Sequence, residues 1–153
     1  MKIPGLIYLF LAFLLFSSCS TEGDGCDKLV PIANLEDLYG CENTAYQMEI
    51  DLTEDHTIIR SQAEFEELVS GSCLPEIDFT EHNLVIGKKS LSNGLVSIDF
   101  KLINECDKDK FILYVTFTTG TFMNAPNVTY HALIPRLAEN ETLEVQIINK
   151  TRI

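Results

Sequence analysis

The residues that could carry chemistry are five Cys, three His and the acidic side chains beside them. A general base needs a His within hydrogen-bond reach of the proton it removes, and a third group to orient the ring. Asp55-His56 is the first candidate pair, but neighbours on a strand point to opposite faces, and in a turn such a pair is solvated. Tyr130-His131 has the same defect, with Tyr130 expected on the face shared by Val128, Ala132 and Ile134. His82 follows Glu81 in a turn beside a strand start, a capping position. The chain has no Gly-x-Ser-x-Gly elbow, no His-Glu-x-x-His helix and no glycine loop that could cradle phosphate. The expectation is a chain with no catalytic residues, no metal and no cofactor.

The fifth Cys stands apart from the others. Lys2 supplies a single positive charge, Leu6 to Phe16 is an unbroken apolar run, and Ser17, Ser18 and Cys19 follow at once. Such a run spans roughly 16 Å as a helix, about half a bilayer's hydrocarbon core, which fits a signal peptide and not a membrane span. Small residues directly before a Cys resemble the lipobox of bacterial lipoproteins, with Phe16 where Leu is usual. The resemblance implies that residues 1–18 are removed and that Cys19 carries the lipid, anchoring the protein to the outer membrane at its periplasmic face or at the cell surface. Acyl chains contribute about 0.8 kcal/mol per buried methylene. Residues 19–25 follow as a polar, acidic, Gly-containing tether with nothing apolar to bury.

Export sets the reading of Cys26, Cys41, Cys73 and Cys106. An even count in an exported chain is a disulfide framework, and these four lack both a Cys-x-x-Cys pair and a nearby His that zinc would need. Four Cys allow three pairings, and spacing alone does not choose among them. Their polar, turn-like surroundings favour Cys26 with Cys41 and Cys73 with Cys106.

A net charge of −12 from 11 basic and 23 acidic residues offers no basic stripe for phosphates, so no nucleic-acid partner is expected. The elements that position everything else are read from hydrophobic period. Residues 26–153 form one domain, able to bury roughly two-thirds of its unfolded surface. Tyr46, Met48, Ile50 and Leu52 alternate with polar residues, the signature of a half-buried strand. Ser61 and Glu64 make a capping box before Phe65, Leu68 and Val69, with Gly71 at the expected C-cap of one short helix. Leu84–Ile86 and Leu95–Ile103 flank Asn93-Gly94, a type I′ turn dipeptide, which predicts that those two strands pair as a hairpin. In the second, Val96, Ile98, Phe100 and Leu102 share a face; after a polar turn, Phe111, Leu113, Val115 and Phe117 form another buried face. Strands over 128–134 and 143–148 complete the set. The expected fold is α+β, mainly antiparallel β: about six strands in a sandwich or partly open barrel with one short helix and no βαβ rhythm.

The order Ile58-Ile59-Arg60-Ser61, a short helix, Ile77-Asp78-Phe79, then Leu84-Val85-Ile86-Gly87 and a Gly-containing turn resembles the C-terminal domain of PrcB-type protease-complex subunits. The likeness runs over residues 57–148 and departs at Leu91-Ser92-Asn93-Gly94, where that family usually carries a Thr-Gly-Gly-type turn. It implies a non-catalytic protein that associates with and stabilises a surface protease. One loop has the composition for such contact. Thr118 to Asn127 sets Phe122 and Met123 among Thr, Gly, Asn and Pro. Burial over the open end of the sheet is the expected placement for both; exposed, they would supply an aromatic anchor and an adaptable thioether. Phe122, Met123, Asn93 and Gly94 are thus the candidate binding residues, and the function expected is a lipid-anchored interaction module of the cell envelope. The alternative is a lipoprotein that binds a small ligand or glycan in the mouth of the rolled sheet, though the absence of Trp disfavours glycan.

Overall fold

A computed structural model describes residues 27–52 and 55–152; the proposed signal peptide, the tether, Cys19 and Cys26 lie outside the described residues. In chain order the elements are β1 (Asp27–Val30), α1 (Leu35–Tyr39), α2 (Thr44–Gln47), β2 (Met48–Ile50), β3 (His56–Ile59), α3 (Gln62–Leu68) and β4 (Val69–Gly71). Then come β5 (His82–Ser90), β6 (Leu95–Glu105), a 3₁₀ turn (Cys106–Lys108), β7 (Lys110–Thr119), β8 (Asn127–Pro135) and β9 (Thr142–Thr151). Strands dominate and nearly all pair antiparallel, as the hydrophobic periods imply, but the described residues hold nine strands where about six were expected. β1, β3 and β4 escaped because each has only three or four residues, too few for a period to declare itself.

The strands form an open β-sandwich with a third layer. A four-stranded sheet, β1-β6-β7-β9, packs on a three-stranded sheet, β3-β5-β8. Between them lies one core, in which Leu113, Val115 and Phe117 of β7 meet Val128, Tyr130, Ala132 and Ile134 of β8. The other face of the middle sheet supplies Leu84, Ile86 and Leu133 to a second core with Leu35 of α1, Phe65 of α3 and Met48 and Ile50 of β2. The middle sheet is therefore buried on both faces, and β8 has seven successive buried residues from Val128 to Ile134. On β7 the predicted alternation holds, with Phe111, Leu113, Val115 and Phe117 all buried. On β6 only Leu102 of the predicted face is fully buried. A register shift between Leu95 and Ser97 lifts Val96 out to solvent.

Four local expectations are corrected. The strand read from Tyr46 to Leu52 is reduced to Met48–Ile50, because Thr44–Gln47 turn as a helix and leave Tyr46 exposed. Ser61 does cap α3, its Oγ accepting from Glu64 N at 3.2 Å, and Glu64 reaches back to Arg60 N at 2.9 Å. Gly71 is not that helix's C-cap; Val69 is, and Gly71 pairs with Met48 across the β2–β4 ladder at φ 148°. A side chain there would run into the Gln47 carbonyl, so the glycine serves close approach of two backbones.

Asn93-Gly94 is not a hairpin turn. β5 pairs with β3 and β8, whereas β6 pairs with β1 and β7, so the dipeptide carries the chain from one sheet to the other. Gly94 does not have the positive φ of a type I′ turn. The hairpin that exists is β6–β7, closed by the 3₁₀ turn and Asp109 at φ 48°. β9 pairs parallel to β7, since the chain between them crosses to the other sheet as β8 and returns in the same direction.

The last correction concerns the disulfides. Cys41 joins Cys73 with a Cα–Cα distance of 5.7 Å, which rules out both Cys26–Cys41 and Cys73–Cys106. Cys106 is disulfide-bonded as well. Local polarity could not reveal this, because Cys41 and Cys73 meet through the helical layer that also gathers Leu35 and Phe65.

Candidate functional site

The polar cluster inside the fold is built from two helices adjacent in sequence, α1 and α2, and the distant strand β8. Asn34 caps α1, its Oδ1 accepting from Asp37 N at 2.8 Å, and Gly40 closes it in the left-handed conformation. That turn holds Glu36 over the start of α2. Asn43, the N-cap of α2, makes no side-chain bond of its own; instead Glu36 Oε1 accepts from Thr44 N at 2.9 Å and from Thr44 Oγ1 at 2.8 Å. His131 of β8 lies beneath, 4% exposed, with Nε2 2.8 Å from Thr44 Oγ1 and Nδ1 accepting from Leu35 N at 3.4 Å.

The direction of these bonds decides what the cluster can do. Because the Leu35 N–H points at Nδ1, the ring proton sits on Nε2 and is donated to the Thr44 oxygen. The Thr44 hydroxyl proton is then committed to Glu36. A histidine that activates a hydroxyl must accept that proton, so this arrangement runs opposite to nucleophile activation. Burial pushes the His131 imidazole down to about 4, against the pull of the Glu36 carboxylate, which keeps the ring neutral. The cluster ties α1 and α2 to the middle sheet. Above it opens a cleft of about 330 Å³ between α2 and β6, walled by Glu36, Tyr46, Val96, Ile98 and Phe100.

The other two histidine pairings do not assemble a site. Asp55 acts through its main chain, its carbonyl accepting from Lys88 N at 3.0 Å and from the Tyr130 hydroxyl at 3.3 Å. Tyr130 faces the sandwich core as expected, in edge contact with Phe117 at 5.5 Å, and burial raises its hydroxyl to about 12. His82 begins β5 and donates its N–H to the Asp78 carbonyl at 3.1 Å. No group of three or more His, Cys, Asp or Glu that could hold a metal is present among the described residues.

The candidate binding residues are brought together. Phe122 and Met123 do not fold over the sheet; they are 82% and 88% exposed. Their loop is braced on the inter-sheet connection: Gly94 N donates to the Phe122 carbonyl at 2.7 Å, and Gly120 N to the Gly94 carbonyl at 2.8 Å. Leu91 N adds a third tie, to the Pro126 carbonyl at 2.9 Å. Asn93 and Gly94 thus contribute as the floor of the loop. Strand register sets this loop at the Thr119–Thr151 end of the four-stranded sheet, while Asp27 pairs with Glu105 at the opposite end. A ten-residue strand separates the two ends, about 30 Å.

Sequence reasoning missed Glu36, Thr44 and the partners of His131. Asn34 and Gly40 were the available signals, a cap pair that frames a short helix carrying Glu36. No signal could have joined Thr44 to His131, 87 residues away. Comparison with protein-family models, curated proteins and solved structures found no match for this chain.

Proposed function

We propose that this protein is a lipid-anchored, non-catalytic component of the cell envelope that works as a protein-interaction module through the Phe122–Met123 loop. The observation that carries the reading is the presentation of two large apolar side chains to solvent on a backbone tied at three points. Exposing them costs hydrophobic free energy that a partner's surface would recover, and the main-chain ties reduce the ordering entropy lost on binding. The loop also stands about 30 Å from the end where the chain enters from the tether, which keeps it clear of an anchor on Cys19. We propose the outer membrane as its location and a surface protease as its partner class, on the likeness of residues 57–148 to PrcB-type domains.

The test is crosslinking on intact cells, followed by capture of the tagged protein and identification of what accompanies it. A near-stoichiometric partner that is lost in the Phe122→Ala/Met123→Ala variant is the expected result. A partner retained at full yield by that variant would remove the loop from the interaction, and no partner at all would overturn the module. A second reading, a binding protein for a small ligand, rests on the cleft beside α2, which the half-exposed Tyr46 lines together with Phe100 and Glu36. A Tyr46→Ala change that abolishes ligand capture while sparing partner capture would favour it.

A further inference from the structure

β9 is the edge of the four-stranded sheet, ten residues long, with β7 on one side and no strand on the other among the described residues. Its free side can be defined residue by residue. Thr142 N donates to the Asp109 carbonyl at 3.0 Å and Arg152 N to the Thr119 carbonyl at 2.8 Å. The register between them is unbroken, so the even-numbered residues turn their N–H and C=O groups toward β7. Leu143, Val145, Ile147, Asn149 and Thr151 therefore direct theirs outward. Leu143, Val145 and Ile147 also point into the sandwich core yet are only partly buried, whereas Leu113, Val115 and Phe117 on neighbouring β7 are closed off. Long edges of this kind are normally shortened, bulged or covered.

We propose that the edge is covered by a second copy of this chain, β9 pairing antiparallel with its symmetry mate about a two-fold axis at Ile147. Three features converge on that register. A two-fold on an antiparallel pair must fall on a residue whose hydrogen-bonding groups face outward if it is to be a hydrogen-bonded pair, and Ile147 is one. Centring there overlaps the strand from Leu143 to Thr151, with Val145 bonded to Asn149 of the other copy. It also sets Glu144 against Lys150 of the other copy, twice by symmetry, at the close non-hydrogen-bonded positions where opposite charges support pairing. Lys110 of β7 already flanks Glu144 from one side, and the incoming lysine arrives from the other. Moving the axis to Val145 or Asn149 loses the charge match. The surface is separate from the Phe122 loop, and the inference does not depend on it.

The test uses the proposed mature chain, residues 19–153, carrying Cys19→Ser, which leaves out both the acyl anchor and the apolar run of residues 6–16 and alters no described residue. Sedimentation equilibrium up to about 1 mM, where even weak association is populated, should show a monomer–dimer equilibrium. Lys150→Glu should weaken it about tenfold by setting like charges opposite each other twice, as should Glu144→Lys. An equimolar mixture of those two variants restores complementarity and should dimerise like the unsubstituted chain. Asn149→Pro, at an exposed position whose N–H faces outward, should weaken dimerisation while leaving the β7 ladder intact. A chain that stays monomeric throughout, an association unmoved by Lys150→Glu, or a mixture that fails to recover would each overturn the proposal.

Discussion

His131 is a neutral histidine held where its charged form has no place. Its folded pKa of about 4 lies below the ordinary 6.5, so the unfolded chain binds the extra proton between those values. The stability it confers is fully present above pH 6.5 and falls as pH drops toward 4, by about 3 kcal/mol in all. Denaturant titrations at several pH values should show this slope, and His131→Asn should flatten it relative to the unsubstituted chain. Gly87 makes a different demand. A side chain there would meet both the Asp55 carbonyl and the Tyr130 ring, which are themselves hydrogen-bonded to each other. Gly87→Ala should therefore cost about 1–3 kcal/mol by overpacking, read as a lowered unfolding midpoint. An unchanged midpoint would mean that β3 and β8 can part without penalty.

At the scale of elements, the helical layer depends on its packing against the middle sheet, its caps and one covalent bond. α1, α2 and α3 have five, four and seven residues, too short to be stable alone. Cys41–Cys73 closes a loop of 32 residues through that layer, and on the chain-entropy account it contributes about 3–4 kcal/mol. Replacing both cysteines with Ser should lower stability by that amount, and non-reducing peptide mapping should recover a Cys41–Cys73 peptide. The same map should join Cys106 to Cys26, since Cys41 and Cys73 hold each other and Cys19 is assigned to the lipid. Recovery of Cys26–Cys41 instead would contradict the fold around α1.

Across the whole molecule, the buried and the presented parts are segregated. Both cores back onto the middle sheet, while the Phe122 loop and the β9 edge belong to the outer sheet and its far end. Phe122 and Met123 contact solvent and not core, so replacing both with Ala should change stability by less than about 0.5 kcal/mol. A thermal melt of the double variant checks that expectation and separates lost binding from lost folding. In the proposed dimer the two-fold axis runs normal to the outer sheet. It would place the two loops at opposite ends of one eight-stranded sheet, a bivalent arrangement with both surfaces usable at once.

Much of this was legible in the linear chain, because it depended on neighbours in sequence. Alternation on β7, the Ser61 cap and the apolar run of β8 are local patterns, and each marks its element. The hydrophobic periods likewise carried the β-rich class. Partnership was decided only by the tertiary structure. Asn93-Gly94 has the chemistry of a hairpin turn, but burial of both faces of the middle sheet sends β6 to the other layer. Cys41 found Cys73, β9 lay parallel to β7, and His131 met Thr44 through packing of residues far apart in the chain. The exposure of Phe122 and Met123 followed from the same cause: with both cores already filled from the middle sheet, the three main-chain ties to Leu91 and Gly94 hold the loop outward.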